Sequence, residues 1–270
     1  MILINGESKD VIAVTDRGLH YGDGLFETIA IQDGKPQFWS AHMERLLDGC
    51  SRLGIPLPDV KLMETETSRL CGGSERAVLK IIVTRGSGGR GYRAPAFPEP
   101  QRILIRYPWP EYPDHSAGIA LRMCHTPLSC NPLLAGIKHL NRLEQVMARN
   151  EWTDETFHEG LMLDPEGNVI EGTMSNLFAV HNSVLLTPDL KRCGIAGVMR
   201  QQVLSLAHKL GIASEVVRMR TDELKGMDEL FVTNSLIGIW PVAQLEEIEY
   251  GDTPITTRLM SALKAAMEQD

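Results

Sequence analysis

The sequence has no Cys-x-x-Cys pair, and its five cysteines (Cys50, Cys71, Cys124, Cys130, Cys193) form an odd, scattered set. A disulfide framework or a zinc site would need a different pattern, so free thiols in a reducing, cytoplasmic setting are expected, with no metal. No apolar run approaches the roughly 20 residues of a membrane-spanning helix. The start of the chain turns polar after Ile4, unlike a signal peptide. Positive charge is also in short supply, with 27 Lys and Arg against 35 Asp and Glu and a formal charge of −8. That argues against a general nucleic-acid or membrane-surface binder, and it means that an anionic substrate needs a locally basic site. What is present is ordinary for a globular protein: 43% hydrophobic and 23% charged residues in 270, enough for one large or two modest domains.

Hydrophobic periodicity and turn residues predict an α/β chain. Strands are expected at Met1–Ile4 and Val11–Val14 around Asn5-Gly6, and at Leu25–Ile31 and Gln37–Trp39 around Asp33-Gly34. Ser40 reads as the N-cap of a helix Ala41–Leu53 closed by Gly54, and a weaker helix covers Asp59–Leu70. Strands follow at Ala77–Thr84 and Arg102–Tyr107. Three prolines in the six residues from Pro108 to Pro113 mark a linker, which divides the chain into a smaller domain, 1–112, and a larger one, 113–270. In the second, strands are expected at Ile119–Met123, Gly160–Leu163, Val169–Glu171, Leu177–Val180, Val184–Leu186 and Leu230–Thr233. Helices are expected at about Val198–Leu210 and Thr256–Glu268, with a short acidic one capped by Thr221.

Four stretches could carry chemistry. Lys138 follows an apolar run, Pro132–Ile137, and precedes a helical pattern of Leu140, Leu143, Val146 and Met147 running to about Asn150. A lysine at the mouth of an apolar pocket has its charged form disfavoured, and its free amine becomes a nucleophile. Read alone, a surface lysine before a helix is much the commoner case. The run Gly86-Ser87-Gly88-Gly89-Arg90-Gly91 contains a literal G-x-G-x-x-G after a strand. The continuation, through Pro95, Pro98 and Pro100, cannot supply the helix that a dinucleotide fold requires there, so that fold is excluded. What remains is a glycine loop with Arg85, Arg90 and Arg93, suited either to substrate carboxylates or to plain exposure.

The turn Gly194–Gly197 runs straight into a helix at Val198, whose free amides suit a phosphate. Thr233-Asn234-Ser235 ends a strand with further hydrogen-bonding side chains, or is an ordinary strand-end turn. Glu171 stands between apolar strand residues and the polar turn Gly172–Asn176; a part-buried carboxylate there is costly without a cation, and an unremarkable turn glutamate is the alternative.

A lysine for an aldehyde, a carboxylate for a pyridinium, a phosphate cup and a basic loop together fit pyridoxal 5′-phosphate. Nearly the whole chain also resembles the fold-type IV family of pyridoxal-phosphate enzymes, which includes branched-chain and D-amino acid aminotransferases and 4-amino-4-deoxychorismate lyases. The resemblance runs from Asp16-Arg17-Gly18 and Tyr21–Gly24, through His42–Leu46, to Glu171–Asn176 and Phe231–Ser235. Val83–Tyr92 and Ala135–Gln145 are most similar to the lyase branch.

The resemblance implies two domains with the cofactor in the cleft between them, a homodimer, and conversion of 4-amino-4-deoxychorismate to 4-aminobenzoate and pyruvate on the way to folate. It assigns Lys138 to the cofactor aldehyde and to catalysis, and Glu171 to the pyridine nitrogen. Arg45, Gly197, Val198 and Ser235 go to the phosphate, with Asn234 beside them. Asn141 would help to shape the site. Arg90 and Tyr92, with Arg85 and Phe26, fall to the side of a small dicarboxylate substrate. The D-amino acid aminotransferase has a histidine at the position of Tyr92 and a tyrosine at that of Phe26, and both departures count against transamination. An aminotransferase on the same fold, and more distantly a non-catalytic binder of phosphorylated ligands, are the alternative readings. His20, His42 and His139 receive no role.

Overall fold

The computed structural model describes residues 1–153 and 156–270. By their contacts these group into two units, Met1–Glu111 with Ile137–Asn141, and Tyr112–Gly136 with Arg142–Asp270. The pentapeptide that holds Lys138 therefore goes with the first unit, whereas the sequence reading assigned it to the C-terminal domain. The cause is local: Phe26 N–H donates to Lys138 O at 3.0 Å, and Leu140 N–H donates to Gly24 O at 3.0 Å.

In the first unit the elements are β1 (Ile2–Ile4), α1 (Arg17–Tyr21), β2 (Gly24–Gln32), β3 (Lys35–Pro36), α2 (Trp39–Leu53), α3 (Val60–Cys71), β4 (Arg76–Thr84) and β5 (Gln101–Pro108). They form a five-stranded sheet in the order β1-β5-β4-β2-β3. Leu25, Ile29 and Ile31 of β2 and Leu79, Ile81 and Val83 of β4 alternate onto one face, where they meet Met43, Leu46 and Cys50 of α2 and Met63 and Leu70 of α3. Ile137 packs into the same core.

Three local expectations fail here. Trp39 opens α2 instead of closing a strand, and the residue before the helix is Phe38, in a left-handed conformation, not Ser40. Val11–Val14 form no strand, because the turn at Asn5-Gly6 is followed by a single bridge, Ile4 to Glu7.

The second unit contains β6 (Ile119–Met123), α4 (Leu143–Arg149), β7 (Glu159–Leu163), β8 (Asn168–Gly172), β9 (Asn176–His181), β10 (Val184–Pro188), α5 (Val198–Lys209), β11 (Ser214–Val217), β12 (Met219–Arg220), β13 (Glu229–Asn234), β14 (Gly238–Leu245), β15 (Ile248–Glu249) and α6 (Pro254–Gln269). Its sheet runs β11-β10-β9-β13-β14-β6-β7-β8-β12, with β15 paired to β14. Phe178 and Phe231, opposite each other on β9 and β13, stack with centroids 4.9 Å apart. The acidic segment at Thr221 is a 3₁₀ helix whose N-cap is Arg220.

Strand β14 escapes the sequence reading because it carries Pro241, although it lies centrally between β13 and β6. A bulge between Val242 and Gln244, on the β6 side, follows the proline at once, and bulges are where sheets tolerate proline. Helix α4 is shorter than expected and turned over. Leu143, Val146 and Met147 are 75%, 51% and 60% exposed, while Gln145 and Ala148 are buried. Among the described residues no helix is long and apolar enough to cross a membrane.

Candidate functional site

In the first unit the chain from Ile137 to Asn141 lies along the start of β2, with a bridge between Leu25 and His139. This fixes the backbone on both sides of Lys138, whose side chain is half-buried with Nζ 4.3 Å from the centroid of the Phe26 ring. Asn141 donates to Gly22 O at 3.1 Å and so ties the far end of the pentapeptide to the turn before β2.

One residue beyond Phe26, Glu27 points into the core, buried beneath α2. Arg45 closes on it through Nε at 2.8 Å to Oε1 and through a second bond from Nη2 to Oε2, while His42 Nδ1 lies 2.6 Å from Oε2. Burial by itself would raise the Glu27 pKa. The Arg45 charge, the His42 hydrogen bond and the Arg45 hydrogen bond outweigh it and hold the carboxyl at about 2. His42 is pushed below its ordinary value by burial first, against the pull of Glu27, with the charges of Arg45 and Lys138 adding to the downward shift. Arg45, assigned to the phosphate, is thus aimed by a buried carboxylate, and neither Glu27 nor His42 had a role in the sequence reading.

The glycine loop is built around Arg17. Its Nε donates to Asp23 at 2.8 Å, Nη1 to Gly91 O at 3.0 Å and Nη2 to Tyr92 O at 3.0 Å. Arg90 and Tyr92 stand at the surface, with Tyr92 88% exposed and its ring edge-on to Tyr21. Arg85 does not join them: it is buried and bonded to Asp23, Leu53 O and Gly54 O. Burial raises the pKa of Asp23, but the hydrogen bonds from Arg85 and Arg17 and their charges leave it below its ordinary value.

In the second unit Glu171 sits at the end of β8, buried. Oε2 accepts from Ile195 N at 2.8 Å and, more distantly, from Asn176 Nδ2 at 3.4 Å, which also donates to Ile195 O. Burial lowers the pKa of Arg142, against which the charges of Glu171 and Glu144 act.

Gly197 is the N-cap of α5 and, having no side chain, makes no capping hydrogen bond of its own. A Cβ at Gly197 would lie 2.0 Å from Asn176 Oδ1, so the Glu171 group and the helix start touch through one amide side chain. Val198, the first helical residue, is buried. Asn234 spends its oxygen on the amides of Leu236 and Ile237 and its Nδ2 on Met174 O, shaping the turn that presents Ser235. Among the described residues, no group of three or more His, Cys, Asp or Glu could hold a metal ion.

The chain as a whole is similar to known proteins. The chain is 35% identical to the aminodeoxychorismate lyase of Vibrio harveyi over 97% of its own length and 99% of that protein. It is 32% identical to a putative branched-chain-amino-acid aminotransferase of Methanocaldococcus jannaschii, over 91% and 88%. The crystal structure of 4-amino-4-deoxychorismate lyase from Pseudomonas aeruginosa superposes with a TM-score of 0.95 at 44% identity, covering 98% of each chain. Residues 24–245 match the family described as amino-transferase class IV. With two sheets in a mixed α/β chain and most of its length inside that match, the protein belongs to the class IV aminotransferase family, the fold-type IV enzymes that work with pyridoxal 5′-phosphate.

Proposed function

We propose that this protein is a pyridoxal-phosphate-dependent lyase that converts 4-amino-4-deoxychorismate to 4-aminobenzoate and pyruvate, a step toward folate. The observation that carries the reading is the end-to-end likeness to the P. aeruginosa lyase, in a chain whose Lys138 is held by its neighbours' backbone bonds and set against Phe26.

The residues fit the cofactor. A helix start capped by a glycine, Gly197, and too tight at that position for any side chain, suits a phosphate at the amides of Gly197 and Val198, with Ser235 and the Glu27-aimed Arg45 as further donors. Lys138 would hold the aldehyde, and the buried Glu171 would face the ring nitrogen and keep it protonated. Bound in this way, the cofactor supplies an electron sink for the bond broken at the substrate's amine-bearing ring carbon. The Lys138 amine removes the proton from that carbon as general base. It returns the proton to the departing enolpyruvyl group, whose carbon–oxygen bond to the ring breaks as the ring becomes aromatic. Arg90 offsets the charge of a dicarboxylate that a chain of formal charge −8 would otherwise repel, and Tyr92 stands beside it. Phe26 packs along the lysine, where it limits access of water.

The working form we propose is a homodimer, supported by the apolar face that α4 turns outward, Leu143, Val146 and Met147. Five free cysteines support a cytoplasmic setting.

The test is product formation from 4-amino-4-deoxychorismate by wild type and Lys138→Ala. Equal amounts of 4-aminobenzoate and pyruvate from wild type, with almost none from the variant, are expected. A yellow, cofactor-loaded wild type that forms neither product refutes the lyase reading. The likeness to the M. jannaschii protein makes transamination the second reading, and a half-reaction with an amino acid donor would reveal it.

A further inference from the structure

Glu159, the first residue of β7, has no part in the chemistry above, yet it is only 1% exposed. Its charge is met by five hydrogen bonds. Oε1 accepts from Gly160 N at 2.9 Å, Thr173 N at 3.0 Å and Thr173 Oγ1 at 2.5 Å. Oε2 accepts from Met174 N at 3.1 Å and Ser175 Oγ at 2.7 Å.

Four of these five donors belong to Thr173, Met174 and Ser175, the turn that leaves β8 directly after Glu171 and Gly172. The turn is closed by Gly172 N–H donating to Ser175 O at 2.7 Å. A Cβ at Gly172 would lie 2.3 Å from Ser175 Oγ and 2.8 Å from Glu159 Oε2, so the packing leaves no room for a side chain there. On the far side of the turn is Asn176, whose amide reaches back to Glu171 Oε2 and to Ile195 O. The carboxylate of Glu159 thus occupies the inside of a loop whose two ends are Glu171 and the residue that bonds to it.

We propose that Glu159 is a positioning residue for Glu171: by gathering the donors of Thr173–Ser175 onto one buried carboxylate, it sets the direction in which Glu171 meets the cofactor's ring nitrogen. The inference rests on the role given to Glu171 under the proposed function. Its chemical content is that all five partners act as donors. Two carboxylate oxygens can accept them all, whereas an amide offers one oxygen and turns an NH2 toward N–H groups that cannot accept it.

The experiment compares wild type, Glu159→Gln, Glu171→Gln and the double variant in two measurements. One is the dissociation constant for pyridoxal 5′-phosphate, from absorbance titration of cofactor-stripped protein. The other is amide hydrogen exchange at Thr173 and Met174 without cofactor. Glu159→Gln is expected to weaken cofactor binding by about 10- to 100-fold, by analogy with the range found when the support behind a metal-ligating side chain is removed, and to speed exchange at Met174 more than at Thr173, whose N–H also donates to Gly160 O at 3.0 Å. Because Glu159 acts through Glu171, the double variant is expected to bind no more weakly than the worse single one, a coupling that general loss of fold would not produce.

A Glu159→Gln variant that binds cofactor like wild type while Glu171→Gln binds weakly overturns the inference alone. Effects that multiply in the double variant do the same. A Glu171→Gln variant that binds cofactor and turns over like wild type overturns the assigned role of Glu171 itself. Should Glu159→Gln fail to fold, Thr173→Val and Ser175→Ala each remove a single donor, and wild-type affinity in both overturns the inference.

Discussion

The guanidinium of Arg85 closes on the carboxylate of Asp23, with Nε at 2.8 Å and Nη2 at 3.0 Å, and gives its other bonds to Leu53 O and Gly54 O. It is thereby a fixture of the first unit, whereas Arg90, five residues on, stands at the surface. Arg85→Ala leaves the part-buried Asp23 with Arg17 as its remaining cation and should cost about 1.5–3 kcal/mol in urea unfolding, the range for lost hydrogen bonds to a charged group. Arg90→Ala should leave the unfolding midpoint in place and raise KM for the dicarboxylate substrate about tenfold, the loss of one charge-assisted contact. An unchanged KM in Arg90→Ala removes that arginine from substrate recognition.

Gly197→Ala tests the helix start. The backbone there, with φ −65° and ψ 140°, accepts alanine without strain, so any effect comes from the methyl group meeting Asn176 Oδ1. Displacing Asn176 disturbs its bonds to Ile195 O and Glu171 and crowds the first amides of α5. Titration with pyridoxal 5′-phosphate should show affinity reduced by on the order of tenfold, with the melting temperature of the cofactor-free protein less affected than the affinity.

Stability should fall off on both sides of neutrality. Glu27 has a folded pKa of about 2 against an ordinary 4.5, so the stability it contributes is complete above pH 4.5 and is lost as the pH falls toward 2. His42, lowered in the fold, adds a loss that begins as the pH drops below its ordinary 6.5. On the alkaline side burial raises Cys124 and Cys193 to about 12 and Cys50 and Cys71 to about 11. Their contribution is complete below the ordinary thiol value of 9.0 and declines above it. Thermal unfolding from pH 3 to 11 should show a plateau between roughly pH 6.5 and 9. In Glu27→Gln the acid limb should flatten, and a wild-type acid limb in that variant removes Glu27 as its cause.

The parts of the molecule legible in the sequence are those whose logic is local. The helix at Trp39–Leu53 announces itself by the spacing of Met43, Leu46 and Cys50, the break after Thr84 by its glycines, and the start of α5 by Gly194 and Gly197. The parts that stay hidden depend on partners far along the chain. Arg85 looks like a loop arginine until Asp23, 62 residues earlier, is brought against it. Glu159 looks like a strand end until Thr173 to Ser175 fold over it. Pro241 argues against a central strand, and the bulge beside it is formed with β6, whose residues lie more than 100 positions earlier. In α4 the apolar spacing is real, but it faces outward, because periodicity reveals that a stripe exists and not what it meets.

Arg17 also acts as a ruler. Its two terminal nitrogens grip the consecutive carbonyls of Gly91 and Tyr92, and Gly91 N–H donates to Tyr21 Oη at 3.1 Å, so the distance along the chain from Thr84 to Tyr92 is counted by a side chain from another segment. Lengthening or trimming the loop before Gly91 would put the wrong carbonyls in that grip and carry Arg90 and Tyr92 out of place together. Residues beyond Arg93 lie outside the measured interval, although Glu99 O packs against Gly86 and closes the loop at its base. Whoever sets out to graft a different substrate preference onto this scaffold should exchange side chains at positions 90 and 92 and leave the count before them alone.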